Sequence, residues 1–270
     1  MRIRFWGVRG SIACPGPETV RYGGNTPCIE VRCGDHIIVL DAGTGLRALG
    51  NSLNPDEKLV DLFLTHCHLD HITGLPFFAP LFAAGPRIRL WAGNLTPPEN
   101  IEQVVRKLMS SPLFPVEVEI FKAMIEFHDF RAGETLQPFD DVTVRTAPLD
   151  HPDGVTGYRI EYAGRVFALL SDTEGFPGKH DKELLSLAQD ADLIVYDTTF
   201  TEQEIVHRAG WGHSTWERGA RLAEQAGAKQ LCLFHHDPSH DDDFMDKLAA
   251  DASAARPNTI TAREGQIIDL

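Results

Sequence analysis

An apolar, β-branched run that ends in a polar cluster containing Asp or His recurs along the chain. It appears in HIIVLDAGTG (36–45), DLFLTHCHLDH (61–71), VTVRTAPLDHP (142–152), RVFALLSDTEG (165–175), LIVYDTTF (193–200) and LCLFHHDP (231–238). Short runs of this kind bounded by turn formers read as buried strands. Each presents its Asp or His just past its carboxyl end. That is where α/β sheets gather binding groups, because several strand ends converge there on short loops. The pattern predicts an α/β fold with its chemistry at the strand ends.

Helices are predicted between the runs, at GLPFFAPLFAA (74–84), DKELLSLAQDA (181–191) and STWERGARLAEQAGA (214–228). In the last, Trp216, Ala220, Leu222 and Ala223 keep helical spacing, Gly227 stands near the stop, and Ser214 with Glu217 matches an S-x-x-E capping box. The stretch at about 94–130 carries prolines and a weaker helical pattern around IEQVVRKLM. It reads as an insertion over the sheet ends. With no linker, repeat or low-complexity tract, residues 1–270 read as a single domain.

Composition is that of an ordinary globular protein, 43% hydrophobic and 24% charged. No apolar stretch approaches the roughly 20 residues that span a bilayer. The start, MRIRFWGVRGSIACPG, lacks a signal-peptide layout. Five cysteines at irregular spacings do not form a disulfide framework, so a reduced, cytoplasmic setting is expected. The formal charge of −14 repels phosphate backbones unless a local patch reverses the field, which makes long nucleic acid a disfavoured partner.

The densest cluster is FLTHCHLDHITGL (63–75). His66 and His68 lie two apart and can point the same way. Asp70 and His71 are adjacent and do not easily share that face. Two neighbouring metals answer this, with the remaining ligands drawn from distant strand ends: His151 in PLDHP, Asp172 in LLSDTE and His235 in LFHHDP. His66, His68 and His151 would hold one ion and Asp70, His71 and His235 the other, with Asp172 and a water bridging them. Imidazole and carboxylate donors without thiolates suit Zn²⁺, with Mn²⁺ or Fe²⁺ as alternatives.

This constellation resembles the metallo-β-lactamase superfamily, whose H-x-H-x-D-H signature stands here as HCHLDH. LDAGTG (40–45) is similar to that family's first motif, in which Asp41 would support the metal loop without binding metal. His151, Asp172 and His235 match the later ligand positions. The resemblance implies a four-layer αββα sandwich of mixed sheets with helices outside. A second likeness is narrower: GHSTWERGARLAEQAGAKQLCLFHHDP (212–238) is similar to ribonuclease Z and the small phosphodiesterases related to it. Asp197 in VYDTTF stands where that branch typically has Glu, and is implied to pair with His213 near a phosphate leaving group.

The implied function is a dinuclear metal-dependent phosphodiesterase that acts on a small or cyclic phosphodiester through a metal-bridging hydroxide. Asp70, His213 and Asp197 form its catalytic set. No long Gly/Pro-rich arm of the kind that grips transfer RNA stands out. The alternatives are a thioester or lactone hydrolase of the same superfamily, ribonuclease Z-like RNA processing, and a non-catalytic scaffold. A di-iron redox role is disfavoured, because that branch usually replaces His68 with Glu. Relatives are often dimers, which implies a homodimer using the 94–130 region or nearby loops. Cys67 is expected to pack, Asn25 and Thr26 to form a turn or approach substrate, and His236 and His240 to be solvated in the acidic stretch HHDPSHDDD.

Overall fold

The computed structural model describes residues 1–175 and 177–270. Strands β1 (Arg2–Gly7), β2 (Cys28–Cys33), β3 (His36–Leu40), β4 (Leu59–Leu64), β5 (Arg87–Ala92) and β6 (Met124–Asp129) belong to one sheet. A second sheet holds β7 (Thr135–Phe139), β8 (Val142–Leu149), β9 (Val155–Tyr162), β10 (Arg165–Leu170), β11 (Leu193–Asp197), β12 (Gln230–Phe234) and β13 (Thr259–Thr261). The last strand, β14 (Ile267–Asp269), returns to the first sheet beside β1. The orders are β14-β1-β2-β3-β4-β5-β6 and β13-β12-β11-β10-β9-β8-β7. Both sheets are mixed. Pairing is antiparallel from β14 to β3 and from β7 to β10, and parallel from β3 to β6 and from β10 to β13.

The continuous apolar runs follow from strands covered on both faces. In β3, Ile38 and Leu40 enter the core between the sheets, while Ile37 and Val39 point to the opposite face, beneath helices. In β12, Cys232 and Phe234 face the other sheet, and Leu231 and Leu233 face a helical layer. The two-residue period of a strand thus divides one run between two cores. Helices α1 (Gly45–Ser52), α2 (Leu69–Ile72) and α3 (Ile101–Leu108) lie with the first sheet, where Leu46, Leu49, Ile101 and Val105 are buried. With the second sheet lie α4 (Asp181–Ala188), α5 (Glu202–Ile205), α6 (Trp216–Gln225) and α7 (Asp242–Ala255), whose buried residues include Leu184, Leu222 and Met245. Each such side chain contributes roughly 1.5–3 kcal/mol through removal from water. Three apolar cores between four layers make the αββα sandwich.

Several local expectations are corrected. Residues 74–84 form no single helix but two short 3₁₀ turns, Leu75–Phe77 and Ala79–Phe82, because Pro76 and Pro80 supply no backbone donor. Helix α6 is capped by Thr215, whose side chain accepts from the Arg218 N–H; Ser214 instead contacts the Tyr196 hydroxyl at 3.0 Å. A capping box is formed instead by Thr201 and Glu204 at α5. Within 94–130 lie α3 and β6, so this segment supplies the edge strand of the first sheet.

His236 and His240 are buried, not solvated. His236 Nε2 lies 2.9 Å from the Ala262 carbonyl, and His240 Nε2 lies 2.9 Å from Glu204 Oε1. The buried Arg9 guanidinium donates to the carbonyls of Gly23, Asp237 and His240 and draws the segment inward. Among the described residues, no helix is long and apolar enough to cross a membrane.

Candidate metal centre

The strand ends converge in the seam between the sheets. Asp41 follows β3, Thr65 to His71 follow β4, His151 follows β8, Asp172 follows β10, Asp197 closes β11, and His235 follows β12. Asp41, Asp172 and His235 all have left-handed backbone, at φ 64°, 56° and 62°. Non-glycine residues held there cost about 1–3 kcal/mol and persist where the surroundings fix them. The conformation turns each strand sharply just where its side chain is needed.

Two groups of donors result. His66 Nε2 lies 2.8 Å from His68 Nδ1, which lies 3.2 Å from His151 Nε2. In the second group, His71 Nε2 stands 3.3 Å from Asp70 Oδ2, and His235 Nε2 stands 3.4 Å from the same oxygen. Asp172 Oδ1 approaches both rings, at 3.5 Å from His71 Nε2 and 3.2 Å from His235 Nε2. It also falls within one ligating cluster with His66 and His71.

The opposite ring nitrogens are held from behind. Thr65 Oγ1 donates to Asp41 and so accepts from His66 Nδ1 at 3.0 Å. Asp41 Oδ2 lies 2.9 Å from His71 Nδ1. The Gly212 carbonyl accepts from His151 Nδ1 at 2.8 Å, and Thr199 Oγ1 lies 3.0 Å from His235 Nδ1. Such partners fix ring orientation and tautomer, leaving the far nitrogen as a lone-pair donor. The Ser11 N–H reaches Asp70 Oδ2 at 2.8 Å, and Gly10 lies so close to the His235 ring that a Cβ would collide with it.

Thr65, Thr199, Gly212, Gly10 and Ser11 were not anticipated. The threonines adjoin expected strand-end residues in LTHC and DTTF, which is the local signal that marks them. Asn25 binds Glu264, and Thr26 exchanges hydrogen bonds with Thr44. Cys67 packs against the core under the first sheet's helices.

The electrostatics call for a cation. Burial alone would raise the pKa values of Asp70 and Asp172, but neighbouring His71 and His235 hold both carboxyls well below the usual range. Burial and the adjacent His71 push His66 down, and burial lowers His151, so those rings are neutral and free to donate electrons. Asp41, Asp172 and Asp197 are each no more than 1% exposed. Buried His71 Nε2 and His235 Nε2 have no hydrogen-bond partner, although each lies near two carboxylate oxygens. Orphaned imidazole nitrogens that converge with carboxylates are what a divalent cation requires, so the residues present fit metal.

His213 lies beside this centre, 4.9 Å from the His235 ring and stacked on it. Its Nδ1 is 2.8 Å from Asp197 Oδ2. Burial opposes charge on the ring, but the Asp197 carboxylate outweighs it and raises the pKa to about 9. Asp197 is held in turn by the N–H groups of Thr173 and Thr199.

The beta-lactamase superfamily domain matches residues 36–236, which carry nearly all of these groups. The chain belongs to the beta-lactamase superfamily. It is a metal-dependent hydrolase of that superfamily. Ribonuclease Z of Lactiplantibacillus plantarum is 26% identical, over 84% of this chain and 85% of that protein. The metallo-beta-lactamase fold protein YhfI from Bacillus subtilis superposes with a TM-score of 0.75 at 19% identity, covering 99% of this chain and 98% of its own. Human tRNase Z, short form, gives 0.71 at 19% identity, covering 100% and 99%.

These relatives correct one expectation. Long nucleic acid is not excluded as a partner, since superfamily members similar to this chain over most of its length are ribonucleases Z. A net charge of −14 averages over all faces and does not report the field at the site.

Proposed function

We propose that the protein hydrolyses phosphodiesters at a dinuclear centre, with His66, His68 and His151 holding one ion, Asp70, His71 and His235 the second, and Asp172 between them. The observation that carries this is the pair of converging triads joined at Asp172, with the Nε2 atoms of His71 and His235 left unpartnered. Two divalent ions bound there, Zn²⁺ first by donor chemistry with Mn²⁺ or Fe²⁺ as alternatives, would supply Lewis-acid charge and an activated water.

The chain's own residues do the rest. Asp41, Thr65, Thr199 and Gly212 lock the imidazoles so that the donors need no reorganisation. His213, with Nδ1 committed to Asp197, offers its other N–H to a phosphate oxygen or to the departing alkoxide. A protonated imidazole serves phosphorus chemistry better than thioester cleavage, in which a thiolate leaves readily without an acid.

The ribonuclease Z relatives support RNA as a diester substrate. A cavity of about 760 Å³ lined by Leu95, Pro97, Phe130 and Val155 includes none of the proposed ligands and does not set the substrate's size.

The test is one panel on metal-loaded protein: bis(p-nitrophenyl) phosphate, cyclic phosphodiesters, a short RNA, a thioester and a lactone. Diester turnover that a chelator removes and added metal restores is expected. Acyl turnover alone would replace this reading with a carbon-centred one. His213→Ala should keep its metal and lose about 10²–10⁴ in rate, most of all with poor leaving groups. Equal loss across leaving groups would make His213 a phosphate ligand and not an acid.

A further inference from the structure

We infer that Trp211 is a stacking platform for a nucleobase flanking the scissile phosphodiester, so that the substrate class is nucleotide-bearing. The inference rests on the phosphodiesterase reading above. It starts from the loop between α5 and α6, which is tied directly to the centre. The Gly212 carbonyl accepts from His151 Nδ1, and His213 reaches Asp197. Glu174 accepts from the N–H groups of Gly210 and Gly212 and anchors the loop. Between these two glycines stands Trp211, 59% exposed.

A large indole on an anchored loop is not needed for the core. Its ring makes an edge contact with Phe200 at 6.3 Å, and Phe200 contacts His213 at 5.7 Å. His213 in turn stacks on His235. One ring therefore separates an exposed indole from the group assigned to the leaving oxygen. The Arg208 guanidinium carbon lies 4.6 Å from the Phe200 centroid and 5.8 Å from that of Trp211, and among the described residues it has no carboxylate partner. The rim thus offers an aromatic face and an unneutralised cation side by side.

Ile12 and Leu69, which adjoin Ser11 and Asp70, are also more than 60% exposed. An aromatic face beside a cation matches a base attached to a phosphate. Stacking of this kind tolerates any base, because each has a π-face.

The experiment titrates the full-length protein with uridine 5′-monophosphate, reading tryptophan fluorescence, with ribose 5-phosphate as the base-free control. Saturable quenching by the nucleotide alone is expected. Trp211→Ala should abolish the quench and weaken nucleotide binding about 10-fold, while Trp211→Phe should retain most of the affinity. In parallel, Trp211→Ala should lower kcat/KM about 10-fold for thymidine 5′-(p-nitrophenyl phosphate) and leave methyl p-nitrophenyl phosphate within about twofold.

Equal losses on both esters, or nucleotide binding unchanged in Trp211→Ala, would overturn the inference. If neither ester is hydrolysed by loaded wild-type protein but the quench still depends on Trp211, the phosphodiesterase reading fails and the base platform stands.

Discussion

Asp172→Ala is expected to empty the centre and to abolish hydrolysis while leaving the fold intact. Its carboxylate lies within 3.5 Å of both His71 Nε2 and His235 Nε2 and also clusters with His66, so it joins the two groups of donors. Loss of a partner that only orients a ligand costs about 10–100-fold in affinity or activity, so loss of the shared carboxylate should exceed about 100-fold. Metal content by mass spectrometry, read with kcat on the same sample, checks this. Circular dichroism should be unchanged, because Asp172 is outside the three apolar cores. A variant that keeps both its metal and its turnover would refute the bridging role.

Removing metal from the wild-type protein should lower its thermal stability substantially. Asp41, Asp70 and Asp172 all surround His71, and without a divalent cation these buried carboxylates face one another with only imidazoles and neutral donors to offset them. Metal at about 1,000 times its dissociation constant stabilises the native state by about 4 kcal/mol. For a domain of this size each kcal/mol moves Tm by about 2–4 °C, so a rise on the order of 10 °C on reloading is expected. Scanning calorimetry with chelator and then with excess Zn²⁺ or Mn²⁺ measures it. The same Tm in both conditions would mean that the triads hold no ion.

The sequence carried the sheets well where a strand is covered on both faces. After their first residue, HIIVL, RVFALL and QLCLF are unbroken apolar runs, as strands covered on both faces are. Strands β1 and β5, RIRFWG and RIRLWA, alternate arginine with apolar residues, a weaker signal of period two. In 74–84 the apolar spacing suggests a helix, but Pro76 and Pro80 break it into two short turns.

At the centre, HCHLDH is local, and its distant partners each close an apolar run, so the candidates could be gathered before the fold was seen. Other features depended on contacts far apart in sequence. His240 looked solvated among aspartates because nothing nearby shows that Arg9 binds its carbonyl. The thirteen-residue stretch from Phe200 to Trp211 and Gly212 likewise carries no periodic signal that would place an indole beside His213.

The division of the donors between the sheets governs when the centre can form. Asp41 and the HCHLDH cluster follow strands of the first sheet, while His151, Asp172 and His235 follow strands of the second. On the proposed assignment, the segment of the first sheet alone offers two histidines of one triad and an incomplete second one. The first set needs His151 from the second sheet, and the second set does not close until β12 has paired with β11 and brought His235 into place. On that assignment the paired centre is among the last parts of the fold to be completed, since each half waits for a strand of the other sheet.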